Sequence, residues 1–374
     1  MTVLIAPDKF KGSLSAREVS ENIALGIRDV LPDAKIETMP MADGGEGTAT
    51  VISDALGGEW VHCKAHDPIG RVIDCRYAII ARSLAVIEMS EAAGLQRLKE
   101  NERDPLRTTT FGVGEMLLHA ARRGVTKIIV GLGGSATNDG GFGMARTFGF
   151  RFFGESDVQL RAAIAKLCEL RRIEKPRTLS LPSIVGAADV TIPLLGKRGA
   201  TETFGPQKGA TRQKLDILER ALTRLADVAE KEFRFDHRNH FGAGAAGGLG
   251  FGLLTFAGAV LKPGFDVVAE AVGLESKMKD ADVVITGEGA LDLQTLEGKV
   301  PAGVARLARK LGKRVFAIPG RASEEREVRE LFQGVVPLVE AGISERQAIA
   351  DIPVLLRKRA STLARDFLVD GGAR

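Results

Sequence analysis

MTVLIAPDKFKGSLSAREVSENIALGIRDVLPDAKIETMPMADGGEGTATVISDAL, residues 1–56, decides the fold. Residues 3–6 are a short apolar run that reads as a buried strand. Residues 15–31 place Val19, Ile23 and Ile27 on one helical face, with Ser13 or Ser15 able to cap the start and Pro32 just past the end. Residues 35–39 read as a second strand and residues 48–56 as a second helix. Strand, helix, strand, helix is the opening of a parallel sheet with helical crossovers.

Working outward, the pattern changes at Glu59. Residues 60–65, 72–80 and 84–89 are three short runs parted by turn residues, which reads as an antiparallel meander. A helix over 112–123, a strand over 127–130, a helix from Gly141, a strand over 184–188 and a long amphipathic helix over 213–233 follow. The last third returns to alternation, with strands over 283–286, 315–319 and 335–339 and helices near 301–311, 324–331 and 345–365. The two ends of the chain therefore share one α/β style and the middle has another. A discontinuous domain with an insertion is expected, its glycine loops gathering in a cleft.

Composition narrows the function. The net charge of +4 with no long Lys/Arg run, and one Trp and one Tyr, leave little for a nucleic-acid surface. Three cysteines without CxxC spacing suit a reducing cytosol, and the start does not read as a signal peptide, so a cytoplasmic protein is expected. Residues 241–261 carry no charge, but seven of the 21 are glycine; a glycine loop running into a core helix is expected there, not a membrane span.

The 44 glycines, about 12% of the chain, are well above the usual ~7%. Many cluster with acids or lysines in residues 41–48 (MADGGEGT), 131–143 (GLGGSATNDGGFG), 242–252 (GAGAAGGLGFG) and 286–295 (TGEGALDLQT). Glycine lets backbone N–H groups approach a ligand and turn inward. GLGGSA and GAGAAG match the dinucleotide fingerprint. The first is followed by Thr137-Asn138-Asp139-Gly140-Gly141 instead of an apolar helix face, and the second follows the polar run FDHRNHF instead of a strand. No GxxxxGK[ST] occurs, no G-x-S-x-G elbow occurs, and the five histidines show no metal spacing. What remains is phosphoryl transfer of another design: amide donors for phosphates, acids for Mg²⁺ (Asp8, Asp43, Glu46, Asp139, Asp189, Glu288, Asp292) and cations for the moving group (Lys11, Lys208, Lys299). Any one Asp beside Gly is more simply a turn or cap residue.

Residues 5–16 (IAPDKFKGSLSA), 40–48 (PMADGGEGT), 131–145 (GLGGSATNDGGFGMA), 193–211 (PLLGKRGATETFGPQKGAT), 242–254 (GAGAAGGLGFGLL) and 284–308 (VITGEGALDLQTLEGKVPAGVARLA) closely resemble the bacterial glycerate kinase family, of the glycerate 2-kinase, garate/glyoxylate type. The resemblance covers nearly the whole chain. It implies ATP- and Mg²⁺-dependent phosphorylation of D-glycerate, most often to 2-phosphoglycerate. It also implies a flavodoxin-like parallel-sheet domain, here residues 1–60 plus 260–374, with an inserted mixed α/β domain, residues 61–259.

On these positions, Asp189 or Asp43 is the expected base or orienting acid, and Lys11 or Lys208 the cation on the transferred group. Glu288 and Asp292 are the expected Mg²⁺ ligands, and Arg71 the acceptor-carboxylate partner. Asp8, Ser13, Gly44, Gly45, Gly133, Gly134, Ser135, Thr137, Asn138, Asp139, Gly244, Gly247, Gly248, Gly287, Gln294 and Lys299 complete the expected substrate and nucleotide contacts. Two positions depart from the family pattern: Ile192 stands where an Asn is usual, and Ala290 where an Arg is usual. A related small hydroxy acid is therefore an alternative acceptor, and a non-catalytic glycerate- or nucleotide-binding protein an alternative role. A homo-oligomer is compatible with the sequence.

Overall fold

The computed structural model describes residues 1–339 and 351–369. The chain forms two compact units, Met1–Asp43 with Phe265–Arg374, and Gly44–Gly264.

In the first unit, Thr2–Ile5 is flanked by Lys35–Thr38 on one side and Val283–Thr286 on the other; Arg314–Ala317 and Gly334–Val335 continue the sheet. Every neighbouring pair is parallel, and the unit's own strands run in the order 2-1-3-4-5. That is the flavodoxin order. Val283–Thr286 is buried at all four positions, as a central strand covered on both faces requires. Helix Ala16–Arg28 is capped by Ser15, whose side chain accepts from the Glu18 amide while Glu18 reaches back to the Ser15 amide. It packs against helix Ile352–Phe367, and Val19, Ile23 and Ile27 share a core with Leu356, Ala360 and Leu363. A side chain at Gly26 would begin 2.1 Å from the Arg357 carbonyl oxygen, so glycine sets how closely these helices approach. The strand expected over 335–339 is only Gly334–Val335, and the helix over 324–331 only Arg326–Arg329. Residues 345–350 of the expected last helix lie outside the described residues.

In the second unit, Glu59–His66, Val72–Ile80 and Leu84–Glu88 form the antiparallel meander. Lys127–Gly131, Ser183–Ala188 and Val260–Pro263 extend it in parallel to six strands. Helix Thr48–Leu56 packs on Val72–Ile80 and Leu84–Glu88 and so belongs to this sheet, although its position in sequence placed it with the N-terminal strands. The tie is local: the Gly47 and Ala49 amides donate to Glu88 Oε1 at 3.0 and 2.9 Å. The unit changes between Asp43 and Gly44 and again between Gly264 and Phe265. Residues 241–261 are a tight loop, the buried helix Ala245–Ala257 and the start of a strand. Among the described residues no helix is long and apolar enough to cross a membrane.

Candidate active site

Each unit carries its own polar group. In the second, two glycine loops interlock. Ala246, Gly247 and Gly248 adopt φ of 53°, 67° and 85° at the start of their helix, a left-handed run that glycine favours. A side chain at Gly247 would begin 1.9 Å from the Thr137 carbonyl oxygen, and the Gly140 amide donates to the Gly247 carbonyl at 3.1 Å. Asp139 clamps the other loop. Its Oδ2 accepts from the Thr110 amide and hydroxyl (both 2.9 Å) and the Gly143 amide (3.1 Å), and its Oδ1 accepts from the Gly141 amide (3.1 Å). Burial pushes this carboxyl above the ordinary range and the four donors pull it back.

Lys208, on the short turn Pro206–Lys208, is 2% exposed. Its Nζ donates to the Thr137 carbonyl at 2.7 Å and to Ser135 Oγ at 3.3 Å. Burial drags its pKa from 10.5 to about 7, against the pull of Asp139. Asn138, fully buried, donates to Thr201 Oγ1 at 3.0 Å, and its Oδ1 has no protein partner. Ser135, Thr137, Asn138, Asp139, Lys208, Gly247 and Gly248 are thus brought together.

Gly44, Gly45 and Gly133 serve backbone packing. Side chains at Gly44 and Gly133 would begin 2.9 Å from the Ala187 carbonyl and 2.6 Å from the Gly45 Cα. Gly134 is exposed. Gly244 packs on the stretch where Ile192 departs from the family, donating its amide to the Ile192 carbonyl at 3.0 Å. Asp189 is exposed just past Ser183–Ala188. Arg71 is already engaged: its guanidinium donates to Asp67 (2.5 Å), Glu102 (2.8 Å) and the Arg97 carbonyl (3.0 Å), so a ligand carboxylate would have to displace Glu102.

In the first unit, Asp8 follows Thr2–Ile5 and Glu288 follows Val283–Thr286. These strands are neighbours where the sheet order reverses, the place where open α/β sheets bind ligands at the carboxyl ends of their strands. Asp8, 7% exposed, is pushed up to about 8 by burial and by Asp43, with Glu288 adding to the effect; its amide donates to the Gly287 carbonyl at 2.8 Å. Glu288, 6% exposed, is pushed up to about 7 mainly by burial, and Asp292 and Asp43 push the same way. Thr295 donates to it at 2.6 Å and Lys299 lies 3.8 Å away. Asp292 accepts from the Gln294 amide and caps the turn Leu293–Glu297, the structural role open to any such Asp. Gln294 is exposed, and Lys11 and Ser13 sit on an exposed turn after Asp8. Ala290 pairs in register with Arg321 of a neighbouring short strand.

Thr110, Thr201 and Thr295 carry no sequence signal of their own for the contacts they make. Thr201 and Thr295 lie inside quoted glycine-rich stretches, but nothing in the sequence pairs Thr110 with an acid 29 positions away.

Among the described residues no three His, Cys, Asp or Glu side chains converge as a metal-ligand set. Mg²⁺ takes only one or two protein carboxylates and fills its shell with water and phosphate oxygens. The buried Glu288, with Asp292 close enough to raise its pKa, is a hard-oxygen pair of that kind. The residues fit such an ion.

A buried lysine against hydroxyls and a glycine loop, and carboxylates at the switch point of a parallel sheet, are the parts of an α/β phosphoryl-transfer enzyme. The pattern of the glycerate kinase family matches residues 3–368, and the chain belongs to that family. It is 41% identical to the glycerate kinase of Halalkalibacterium halodurans over 377 residues, covering 100% of this chain and 96% of that one. It is also 41% identical to the glycerate 2-kinase of Escherichia coli over 330 residues, 87% of this chain and 86% of that one. A crystal structure of a candidate glycerate kinase 2 from Salmonella typhimurium superposes with a TM-score of 0.86 at 39% identity, covering 98% and 97% of the two chains.

Proposed function

We propose that the enzyme transfers the γ-phosphoryl group of ATP to the C2 hydroxyl of D-glycerate, giving 2-phosphoglycerate and ADP. Family membership supports the reaction class, and one observation carries the chemistry: Lys208 is buried beside Ser135 and Thr137 with its pKa depressed to about 7. An arriving phosphate favours the protonated amine, so the lysine gains its charge where the transition state develops negative charge. The acceptor oxygen bonds to the γ-phosphorus as the bond to the bridging oxygen breaks, and the hydroxyl proton passes to Asp43 or Asp189. Glu288 and Asp292 would hold Mg²⁺, which when bound neutralises charge on the phosphates.

The departures at Ile192 and Ala290 favour a second reading in which the acceptor is a related small hydroxy acid. A coupled ADP-release assay with Mg-ATP and D-glycerate, its product read by phosphorus NMR, tests both. Turnover to 2-phosphoglycerate is the expected result. Turnover with another hydroxy acid alone would establish the second reading, and no ADP release with any of them would overturn the kinase assignment.

A further inference from the structure

Within the Gly44–Gly264 unit, a cavity of about 210 Å³ opens beside the start of helix Thr48–Leu56. One wall is a stacked pair from two neighbouring strands, with the Arg76 guanidinium carbon 4.3 Å from the Trp60 ring centroid. The polar lining otherwise comes from Glu46, Glu88, Ser90, Glu91 and Gln96, and the helix start supplies the remainder. We propose that this cavity takes the nucleoside end of ATP, an inference that rests on the kinase reading above.

Three features of the lining support this. A flat guanidinium on an indole is a platform for a planar heterocycle, because both present a π-face to stack against. Beyond the two amides on Glu88 and the Arg97 guanidinium on Glu91, these carboxylates keep lone pairs that can accept from ribose hydroxyls or an exocyclic amino group, and Ser90 and Gln96 add short polar groups. The lining carboxylates outnumber the one lining guanidinium, so a small anionic acceptor acid would meet like charge. The helix start offers no compensating anion site, because Glu88 already accepts its Gly47 and Ala49 amides.

The cavity also adjoins the phosphate-handling loop. Gln96 lies on the turn Leu95–Arg97, whose Leu95 amide donates to the Gly134 carbonyl at 2.9 Å. Gly94 forms a bridge with Ser135, and a side chain at Gly134 would begin 3.4 Å from Ser90 Cβ. The segment lining the cavity therefore lies directly against the Gly134–Ser135 loop, whose next residues hold Lys208.

Trp60 is the chain's one tryptophan, so the unmodified protein reports on this cavity. Its emission is titrated with adenosine, with ADP and with D-glycerate. A saturable change with adenosine and ADP, and none with D-glycerate, is the expected result. Gln96→Ala and Arg76→Ala are expected to raise KM for ATP about tenfold while KM for D-glycerate stays within twofold. A response to D-glycerate but not adenosine would overturn the proposal. So would a silent Trp60 in a preparation that releases ADP, and that outcome leaves the kinase reading intact. A Trp60 response to adenosine in a preparation that turns over no hydroxy acid upholds the cavity and removes the kinase reading instead.

Discussion

Lys208 Nζ donates to the Thr137 carbonyl oxygen at 2.7 Å while Lys208 is 2% exposed, so a cation-forming group is fixed inside a glycine-lined loop with almost no water around it. A lysine costs several kcal/mol to bury charged, which a structural role would not require. Lys208→Met should keep the fold and lower kcat by at least about 100-fold, the scale of losing one preorganised charge at a transition state. Lys208→Arg should not rescue it, because a planar guanidinium does not present its charge and donors as the compact ammonium does to the Thr137 carbonyl and Ser135 hydroxyl. Steady-state kinetics with circular dichroism on both variants decides this; near-normal kcat in Lys208→Met would remove the lysine from the chemistry.

The same group sets a pH dependence. Its pKa is depressed from 10.5 in an unfolded chain to about 7 in the folded one. Between those values the unfolded chain holds the extra proton, so stability rises with pH there. The burial penalty is complete below about 7 and gone above 10.5. Lys208→Met lacks this dependence. The stability of the native protein relative to the variant should therefore climb from pH 7 to pH 9, by up to about 1.4 kcal/mol per unit. Urea midpoints at three pH values measure it, and a flat difference would contradict the depressed pKa.

The sequence marks Asp139 as a ligand contact, and the structure gives its carboxylate four internal donors. Asp139→Ala would strand the Thr110, Gly141 and Gly143 amides in the interior. A loss of about 3 kcal/mol in unfolding free energy is expected, within the range for breaking a buried charged network. Asp139→Asn keeps the shape and should lose less. Equal, small losses in both variants would show that the carboxylate is not what holds the loop.

How far the sequence could be read follows from these cases. The flavodoxin-type sheet was legible because its strands are short apolar runs spaced by helical periodicity, and Ser15 with Glu18 announces its helix start. The sequence pattern gives helix Thr48–Leu56 its bounds but not its sheet, because periodicity records which face is apolar and not which partner covers it. The tie to Glu88, some 40 residues away, is invisible to local pattern. Among the site residues, glycine-rich stretches marked the loops. They could not separate Asp139, turned inward onto amides, from Asp8 and Glu288, crowded with other carboxylates. Arg71 has the side chain for a carboxylate partner, and only the fold shows that Asp67 and Glu102 already engage it.

Removing the divalent ion should abolish turnover. Chelation with EDTA is expected to stop ADP release and added Mg²⁺ to restore it. Glu288→Gln, which keeps a side-chain oxygen for the Thr295 hydroxyl, should raise the Mg²⁺ concentration for half-maximal rate about tenfold with little change in the unfolding midpoint. An unchanged Mg²⁺ requirement in that variant would place the ion elsewhere.

Ala290 stands where the family usually carries an arginine, yet it pairs in register with Arg321 on a parallel neighbouring strand. Register partners project to the same face of a ladder, so a guanidinium stands one strand away from the position that lacks one. Arg321→Ala should then raise KM for the acceptor acid about tenfold, as losing a charge-assisted contact to a carboxylate does, and leave KM for ATP within twofold. Ala290→Arg introduced into that variant should recover most of the loss, because it returns the cation to the neighbouring register position. Kinetics on the single and double variants measure the coupling. Additive effects, with no recovery in the double variant, would mean that Arg321 does not replace the missing side chain and that the acceptor is held without it.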